Sequence, residues 1–298
     1  MSMAERAILL VVACLAAACG APYGPDTGPP NRPTAALNAW KDFPAGAQPR
    51  PIVWLVNPGP ANGFSTDGGK FAAICGRYAP ADGFNPSNIP ATSAAVTWPS
   101  GDRTSYPAIS PRDAITGLSL LPGDQKNPQC NSVAPLRLTS ARLGEAGIGT
   151  DRGNARVTAW IFTATGVIGE LAYPALAPAA FWRGGMVEQG SSGGAIVSAD
   201  GLVLTYAFVG AAPTGPCGAD YVSSVAESIS AVAVAIKAIP HATEGNVNCD
   251  AVGYPRTVDV HLASPLGGRV LLDSGGGALI ACAAGPKLIT PPGGRPPC

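Results

Sequence analysis

Short apolar runs, separated by turn residues about every ten positions, dominate the second half of the chain. In Thr257–Leu262 polar and apolar residues alternate, so every second side chain is expected to face a core. The inward set is Val258, Val260 and Leu262, and the outward set is Thr257, Asp259 and His261. Six or seven such strands in residues 184–298 predict an immunoglobulin-like β-sandwich. The predicted strands are Leu202–Val209, Tyr221–Ala226, Ala231–Ile236, Thr257–Leu262, Arg269–Asp273 and Ala278–Cys282.

The first half predicts a second β-rich domain over residues 49–183, with one short helix. Pro51–Val56 and Ala94–Trp98 are apolar runs closed by turn residues, which is typical of buried strands. Ser110 followed by Pro111 and Asp113 predicts the start of a helix that extends to about Leu120. A hairpin is predicted from Leu136–Ser140 and Ala155–Phe162, which flank a glycine-rich turn at Gly147–Gly153. The expected fold class is therefore mainly β, with two β-rich domains.

The N-terminus has the pattern of a bacterial lipoprotein signal peptide. A short charged start precedes the apolar run Ala7–Val12, and small residues then lead to Cys19 and Gly20. The apolar segment Ala7–Ala18 is too short to span a bilayer, which takes about 20 residues. We expect residues 1–18 to be removed and acyl chains such as palmitate to be attached at Cys19. Cys14 is the second choice for the lipidated residue, because cleavage before it leaves a shorter apolar core. The alternative to a lipoprotein signal is an ordinary secretory signal that is cut after Ala18.

Residues 19–48, rich in proline and glycine, are predicted to form a tether that lifts the folded part off the membrane. The expected location is therefore the extracytoplasmic face of the cell membrane. The chain carries 19 basic and 19 acidic residues, for a net charge of zero, and has no basic run. Nucleic acid and anionic membrane surfaces are therefore poor candidate partners, and no nucleic acid is expected. The expected partners are the membrane, through the lipid anchor, and an unknown ligand or protein at the cell surface.

The cysteines predict disulfide bonds. Of the eight cysteines, six remain when Cys14 and Cys19 are set aside. An even number outside the cytoplasm indicates disulfides, and six cysteines allow 15 pairings. Pairs of sequence neighbours are favoured because each then stays within one domain; they are Cys75–Cys130, Cys217–Cys249 and Cys282–Cys298. A metal site is not expected, because the chain contains no CxxC motif and has only two histidines. No cofactor is expected either.

The segment Gly190–Ala195 is the sharpest candidate for chemistry. It resembles the serine-nucleophile loop of trypsin-like proteases, but no histidine precedes position 241, so the required base is missing. It also fits the G-x-S-x-G pattern of α/β-hydrolases, with Ser192 followed by Asp250 or Asp259 and then His261. That pattern needs a helix after the serine, whereas a β-branched stretch follows here. We therefore predict a glycine-serine linker and no catalytic residues, with a serine hydrolase as the alternative.

Two smaller glycine and histidine features have simple interpretations. Ser274–Gly277 lacks the Lys-Ser/Thr of a phosphate-binding loop and predicts a hairpin turn. His241 follows Pro240 and is expected to be an exposed loop residue.

The second half resembles a family of secreted proteins and lipoproteins from high-GC Gram-positive bacteria, for which no activity is known. The residues that carry the resemblance are Ser198–Leu202, Phe208–Gly210, Gly215–Tyr221, Glu227, Ala231–Val234, Val252–Val258 and Ala263–Leu271. The resemblance implies that Ser192 lies outside the recurring block and that Cys217 and Cys249 pair across the sandwich. Together these features predict a lipid-anchored, non-catalytic binding or scaffolding module.

Overall fold

The computed structural model describes residues 32–57, 63–88, 93–121, 126–241, 248–249 and 252–283. The predicted signal peptide, Cys14, Cys19, Asp250 and Cys298 lie outside these residues. The chain forms two β-sheets, one from each half. The predicted mainly β class is confirmed.

The first sheet has eight strands in the order β4-β3-β6-β5-β1-β8, with β2 paired to β5 and β7 paired to β6. Its strands are β1 (Ile52–Val56), β2 (Tyr78–Pro80), β3 (Ser93–Thr97), β4 (Arg103–Pro107), β5 (Leu136–Thr150), β6 (Gly153–Ala164), β7 (Leu171–Pro174) and β8 (Phe181–Met186). The predicted hairpin is formed by β5 and β6. Its turn is narrower than the expected Gly147–Gly153, because β5 continues to Thr150 and leaves Asp151 and Arg152 as the connection.

The second sheet has seven strands in the order β11-β12-β14-β15-β9-β10-β13. Its strands are β9 (Gln189–Val197), β10 (Val203–Gly210), β11 (Ala219–Glu227), β12 (Ala231–Pro240), β13 (Tyr254–His261), β14 (Val270–Asp273) and β15 (Ala278–Ala283). The immunoglobulin-like arrangement is not confirmed. The pairs β12–β14 and β15–β9 are parallel, whereas an immunoglobulin sandwich consists of antiparallel sheets.

Within the described residues, three short α-helices accompany the sheets: α1 (Arg32–Ala39), α2 (Asp67–Ile74) and α3 (Pro111–Leu120). The prediction of one helix for residues 49–183 was wrong, because α2 and α3 both lie in that range. Helix α3 has the predicted bounds and the predicted start. Ser110 Oγ accepts a hydrogen bond from Asp113 N, and the Asp113 carboxylate accepts one from Ser110 N. This capping box satisfies backbone donors that the first turn leaves free.

The predicted tether ends earlier than residue 48. Helix α1 lies within it, and Trp40 and Phe43, which follow the helix, are 3% and 2% exposed. Pro33 does not prevent the helix because it stands in the first turn, where a missing N–H costs nothing. Residues 32–48 therefore belong to the folded body.

A bulge in β8 holds the C-terminal end of α1 in place. Ile52 pairs with Phe181 but Trp54 pairs with Met186, so residues 182–185 form an excursion between them. Arg183 within it has a left-handed backbone, with φ of 57°, and its Nη2 donates to Ala39 O at 2.5 Å. Trp182 stacks on Trp40, with ring centroids 6.1 Å apart. The strained bulge thus caps the last carbonyl of α1 and packs on the aromatic ring that follows the helix.

Strand β9 corrects the linker prediction for the Gly190–Ala195 segment. It is a central strand between β10 and β15. The glycines permit close backbone packing: a Cβ at Gly190 would lie 2.6 Å from Leu279 Cδ2, and one at Gly277 would lie 2.6 Å from Gly190 Cα. The change from the first to the second sheet falls between β8 and β9, close to the predicted boundary at 183/184.

The two sheets share a core. One side of β1 packs into the first sheet through Ile52 and Trp54, and the other side packs against the second sheet through Val53 and Leu55. Val53 and Leu55 lie with Trp40, Phe43 and residues of β12, β14 and β15. Strand β1 is therefore buried on both faces, as its continuous apolar run predicts.

The second sheet curls until its edge strands β11 and β13 are bridged by side chains, along what we call the seam. Three bonds cross it: Arg256 Nη1 donates to Ala219 O at 3.0 Å, Ser223 Oγ to Asp259 O at 3.2 Å, and Ala263 N to Glu227 Oε1 at 2.6 Å. Along the seam the residue numbers rise together on both edges, from Ala219 to Glu227 and from Arg256 to Ala263. The two edge strands therefore run in the same direction. The predicted inward residues Val258, Val260 and Leu262 pack inside the curl.

Arg269 completes the seam with a fully bonded guanidinium. Nη1 donates to Glu227 Oε2 at 2.8 Å and to Ser228 O at 3.3 Å. Nη2 donates to Ser264 O and Pro265 O, and Nε donates to Leu266 O. All three nitrogens of this arginine thus have acceptors.

The structure contains the predicted disulfides Cys75–Cys130 and Cys217–Cys249. Cys282 is also disulfide-bonded, while its predicted partner Cys298 lies outside the described residues. The Cys217–Cys249 bond joins the segments before β11 and after β12, which pair with each other. It therefore closes the open end of one hairpin and does not cross between layers of a sandwich. Disulfides of this kind are typical of an extracellular or otherwise oxidising environment.

Candidate functional site

The alternative catalytic residues Ser192 and His261 are not brought together. Gly194 of β9 pairs with Ala207, while His261 pairs with Val203, four residues away along β10. At about 3.3 Å per residue this is roughly 13 Å along the strand. Ser192 lies two residues beyond Gly194, in the direction away from His261. Asp259 accepts a hydrogen bond from Thr205 Oγ1 at 2.9 Å, and Asp250 lies outside the described residues.

The remaining motifs have structural roles. Ser274–Gly277 is the predicted hairpin turn, in which Asp273 Oδ1 accepts hydrogen bonds from Gly275 N and Gly277 N, both at 2.9 Å. His241 is half-buried and not an exposed loop residue. Its Nδ1 lies 3.1 Å from Gly215 O, and its Nε2 lies 3.5 Å from Asp220 Oδ1.

The most unusual polar group lies where the two sheets meet, at the β5–β6 turn. Asp151 and Arg50 form an ion pair in which the side chains are 3% and 7% exposed. Arg50 Nε also donates to Gly268 O at 2.6 Å, and Ala281 N donates to Asp151 O at 2.8 Å. The pair therefore ties β1 and the β5–β6 turn to β15 and the segment before β14. Both charged groups are compensated, as buried charges must be.

Arg152 adds a second positive charge that is not compensated in the same way. Its guanidinium makes no hydrogen bond in the described part of the chain, although Nε and Nη2 are both buried. The nearest carboxylate oxygen is Asp151 Oδ1, 4.0 Å from Nε. Asp151 is already engaged by Arg50, so the three charges sum to one positive. Burial, and then the charge of Arg50, lower the pKa of Arg152 below its ordinary value.

Two aromatic side chains border Arg152. The Trp98 ring covers one face of the guanidinium, with the Arg152 Cζ 3.6 Å from the ring centroid. Tyr106 is 9% exposed, and its buried hydroxyl has no hydrogen-bond partner among the described residues. Burial raises the pKa of Tyr106, against the opposing effects of Arg152 and Arg50. The phenol therefore stays protonated at neutral pH and offers a donor beside the arginine.

We call Arg152, Tyr106, Trp98 and the Arg50–Asp151 pair the junction cluster. It combines three donors that have no hydrogen-bond partner among the described residues with a net positive charge. Unsatisfied buried donors are rare and cost free energy, about 1–3 kcal/mol each and more for charged groups. The arrangement suits the binding of an acceptor with negative charge.

The sequence prediction missed the junction cluster. Asp151 and Arg152 were assigned to a hairpin turn, where charged residues are ordinarily exposed. One signal was available in the sequence. Only 13% of the residues are charged, so the adjacent opposite charges of Asp151 and Arg152 are an unusual pair that could have marked the position. The spatial partners Arg50, Trp98 and Tyr106 have no local pattern that connects them to the turn.

Comparisons with protein-family models, with curated proteins and with solved structures found no match. The resemblance to a family of secreted lipoproteins therefore stays a prediction. Over the described ranges, no group of three or more histidine, cysteine, aspartate or glutamate residues is placed to hold a metal ion. Nor does the described part of the chain contain a helix long and apolar enough to cross a membrane.

Proposed function

We propose that this chain is a lipid-anchored binding protein at the extracytoplasmic face of the cell membrane. The observation that carries the binding role is the half-buried side chain of Arg152 at the junction of the two sheets, whose buried Nε and Nη2 have no hydrogen-bond partner in the described residues. Junctions between folded layers are common places for ligand sites. The signal sequence and the disulfides support the location.

The anchoring part of the proposal is tested with cysteine variants of the full-length chain. Cys19→Ala is expected to abolish incorporation of an alkyne-tagged palmitate and to remove the protein from the membrane fraction. Cys14→Ala is the matched control and should keep both properties. Loss of labelling in Cys14→Ala alone would instead assign the lipid to Cys14, and labelling of neither cysteine would overturn lipid anchoring.

The binding part is tested by comparing what wild type and variants retain from cross-linked intact cells. A ligand of the junction cluster should be retained by wild type and lost with Arg152→Gln. Arg156→Gln is the matched control, since Arg156 is 76% exposed and lies four residues away. Identical sets of retained molecules for all three proteins would contradict a binding role for the junction. Labelling by a fluorophosphonate probe that disappears in Ser192→Ala would favour the hydrolase instead.

A further inference from the structure

The unsatisfied donors of Arg152 lie on one edge of its guanidinium. Nε and Nη2 carry the N–H groups that point side by side along that edge, and neither has an acceptor. Two parallel donors of this kind match two adjacent oxygens of one acidic group. This edge therefore favours an acceptor that presents two adjacent oxygens.

The Trp98 ring is compatible with such a ligand because it occupies the face of the guanidinium and not its edge. Stacking on an aromatic face leaves the in-plane N–H groups directed sideways. Trp98 is itself fixed at the sheet margin: its Nε1 donates to Thr104 Oγ1 at 3.2 Å, and its backbone N donates to Asp102 O at 2.9 Å. The stack therefore holds Arg152 in one orientation.

The charges set the sign of the ligand. Arg50 and Arg152 contribute two positive charges and Asp151 one negative charge, and no other carboxylate lies within 4.0 Å of Arg152 among the described residues. A ligand with one negative charge makes the cluster neutral. Tyr106 adds a third, uncharged donor, and the charges of Arg152 and Arg50 both act on its hydroxyl.

We propose that the junction cluster binds an oxyanion, with two oxygens on the Nε–Nη2 edge of Arg152 and a hydrogen bond from the Tyr106 hydroxyl. The proposal rests on the binding role inferred above and names the chemistry of the ligand. Carboxylate and phosphate groups both present two adjacent oxygens.

The experiment titrates the purified full-length protein with sodium acetate and, separately, with sodium phosphate, at constant ionic strength set by sodium chloride. Thermal midpoint and tryptophan fluorescence are recorded together. At least one of the two anions should raise the midpoint and change the fluorescence of wild type. Whichever anion acts at lower concentration identifies the carboxylate or the phosphate as the preferred group.

Three variants make the test specific. Arg152→Gln should weaken binding by more than about tenfold, because it removes both charge-assisted bonds, and Tyr106→Phe should weaken it by a smaller factor. Trp98→Phe should keep the shift of the midpoint and lose most of the fluorescence change. Arg156→Gln should behave as wild type.

The proposal is overturned if chloride produces the same shift as acetate and phosphate, or if Arg152→Gln responds as wild type does. Either result leaves the broader binding role to the cell-surface experiment, which does not depend on these anions. Conversely, Arg152-dependent binding of an anion together with unchanged retention from cells would support the oxyanion site and contradict the wider proposal.

Discussion

The two sheets differ in the kind of side-chain contact that stabilises them. In the first sheet, aromatic side chains pack against one another: the Trp54 ring lies 5.6 Å from that of Tyr173 and 5.0 Å from that of Phe181. In the second sheet, polar side chains bridge the seam between β11 and β13. Polar side chains can bridge a seam without loss of stability when each donor and acceptor has a partner. Arg269 meets this condition, because all three of its guanidinium nitrogens donate hydrogen bonds. Arg152, whose Nε and Nη2 have no partner among the described residues, differs from Arg269 in this respect. The contrast supports a stabilising role for Arg269 and the binding role proposed above for Arg152.

The largest expected effect separates the two arginines. Arg269→Gln leaves the Glu227 carboxylate and several carbonyls without their donor, so we expect the free energy of unfolding to fall by about 3–5 kcal/mol. Arg152→Gln removes a half-buried charge that has no hydrogen bond among the described residues, so the change should stay within about 1 kcal/mol or increase stability. Urea unfolding of both variants measures the difference. A greater loss for Arg152→Gln than for Arg269→Gln would reverse the assignment.

The next effect concerns the Cys217–Cys249 bond at the open end of the β11–β12 hairpin. It spans 32 residues along the chain, for which the chain-entropy model gives about 3–4 kcal/mol. We therefore expect a double Cys217→Ala/Cys249→Ala variant to lose stability of this order in urea unfolding. The rate of amide hydrogen exchange should increase first in β11 and β12, because these strands lose the restraint at their open end.

The matched comparison is Cys75→Ala/Cys130→Ala, which opens a span of 55 residues in the first half. Its loss should be about 4 kcal/mol in the same model. Increased exchange spread evenly over both sheets in the Cys217/Cys249 variant would contradict the expected local opening of the β11–β12 hairpin.

A smaller effect tests the packed first sheet. A Cβ at Gly117 of α3 would lie inside the van der Waals contact distance of the Tyr173 ring. Gly117→Ala should therefore cost about 1–3 kcal/mol through overpacking, although alanine favours a helix by about 0.5–1 kcal/mol relative to glycine. Thermal unfolding checks the sign.

Gly68→Ala provides the control, because Gly68 also lies in a helix and a Cβ there has no atom within 4 Å. This variant should be neutral or more stable. A stabilising Gly117→Ala would mean that Tyr173 moves aside freely and that the first sheet is less tightly packed than the distances imply.

The smallest effect is the pH dependence of the seam. Burial raises the pKa of Glu227, but the hydrogen bond from Ala263 N and the interactions with Arg269 outweigh it, so the pKa is below its ordinary value of 4.5. A lowered folded-state pKa contributes stability above the ordinary pKa, and this contribution disappears as the pH falls through the folded-state pKa. The stability difference between wild type and Glu227→Gln should therefore shrink on acidification. A difference independent of pH would assign the role of Glu227 to packing alone.

Local patterns in the sequence predicted much of the second sheet. Alternation placed Val258, Val260 and Leu262 inward, and turn residues marked the ends of most strands. The arrangement of the strands was not predicted, because parallel pairs such as β15–β9 join segments that are far apart in the chain. The two described disulfides were predicted because sequence neighbours on connected segments fold close together.

Several elements were missed, helix α2 among them, and for three features the physical reason is identifiable. Strand β9 contains glycines that allow close backbone approach, yet glycine is ordinarily a sign of a turn. Helix α1 was hidden in a proline-rich segment because Pro33 occupies the first turn, where it is tolerated. The junction cluster joins Arg50, Trp98, Tyr106 and Arg152 from distant parts of the chain, so its chemistry exists only after folding.

The position of α1 also determines how the molecule carries mechanical load. Arg183 holds the last carbonyl of the helix from the first sheet, while Trp40 Nε1 donates to Gly276 O in the β14–β15 turn of the second, at 3.0 Å. A pull applied at Arg32 is therefore divided between both sheets before any strand can separate from its neighbour. Because α1 also lies against β11 and β12, a pull at Arg32 would reach the seam as well.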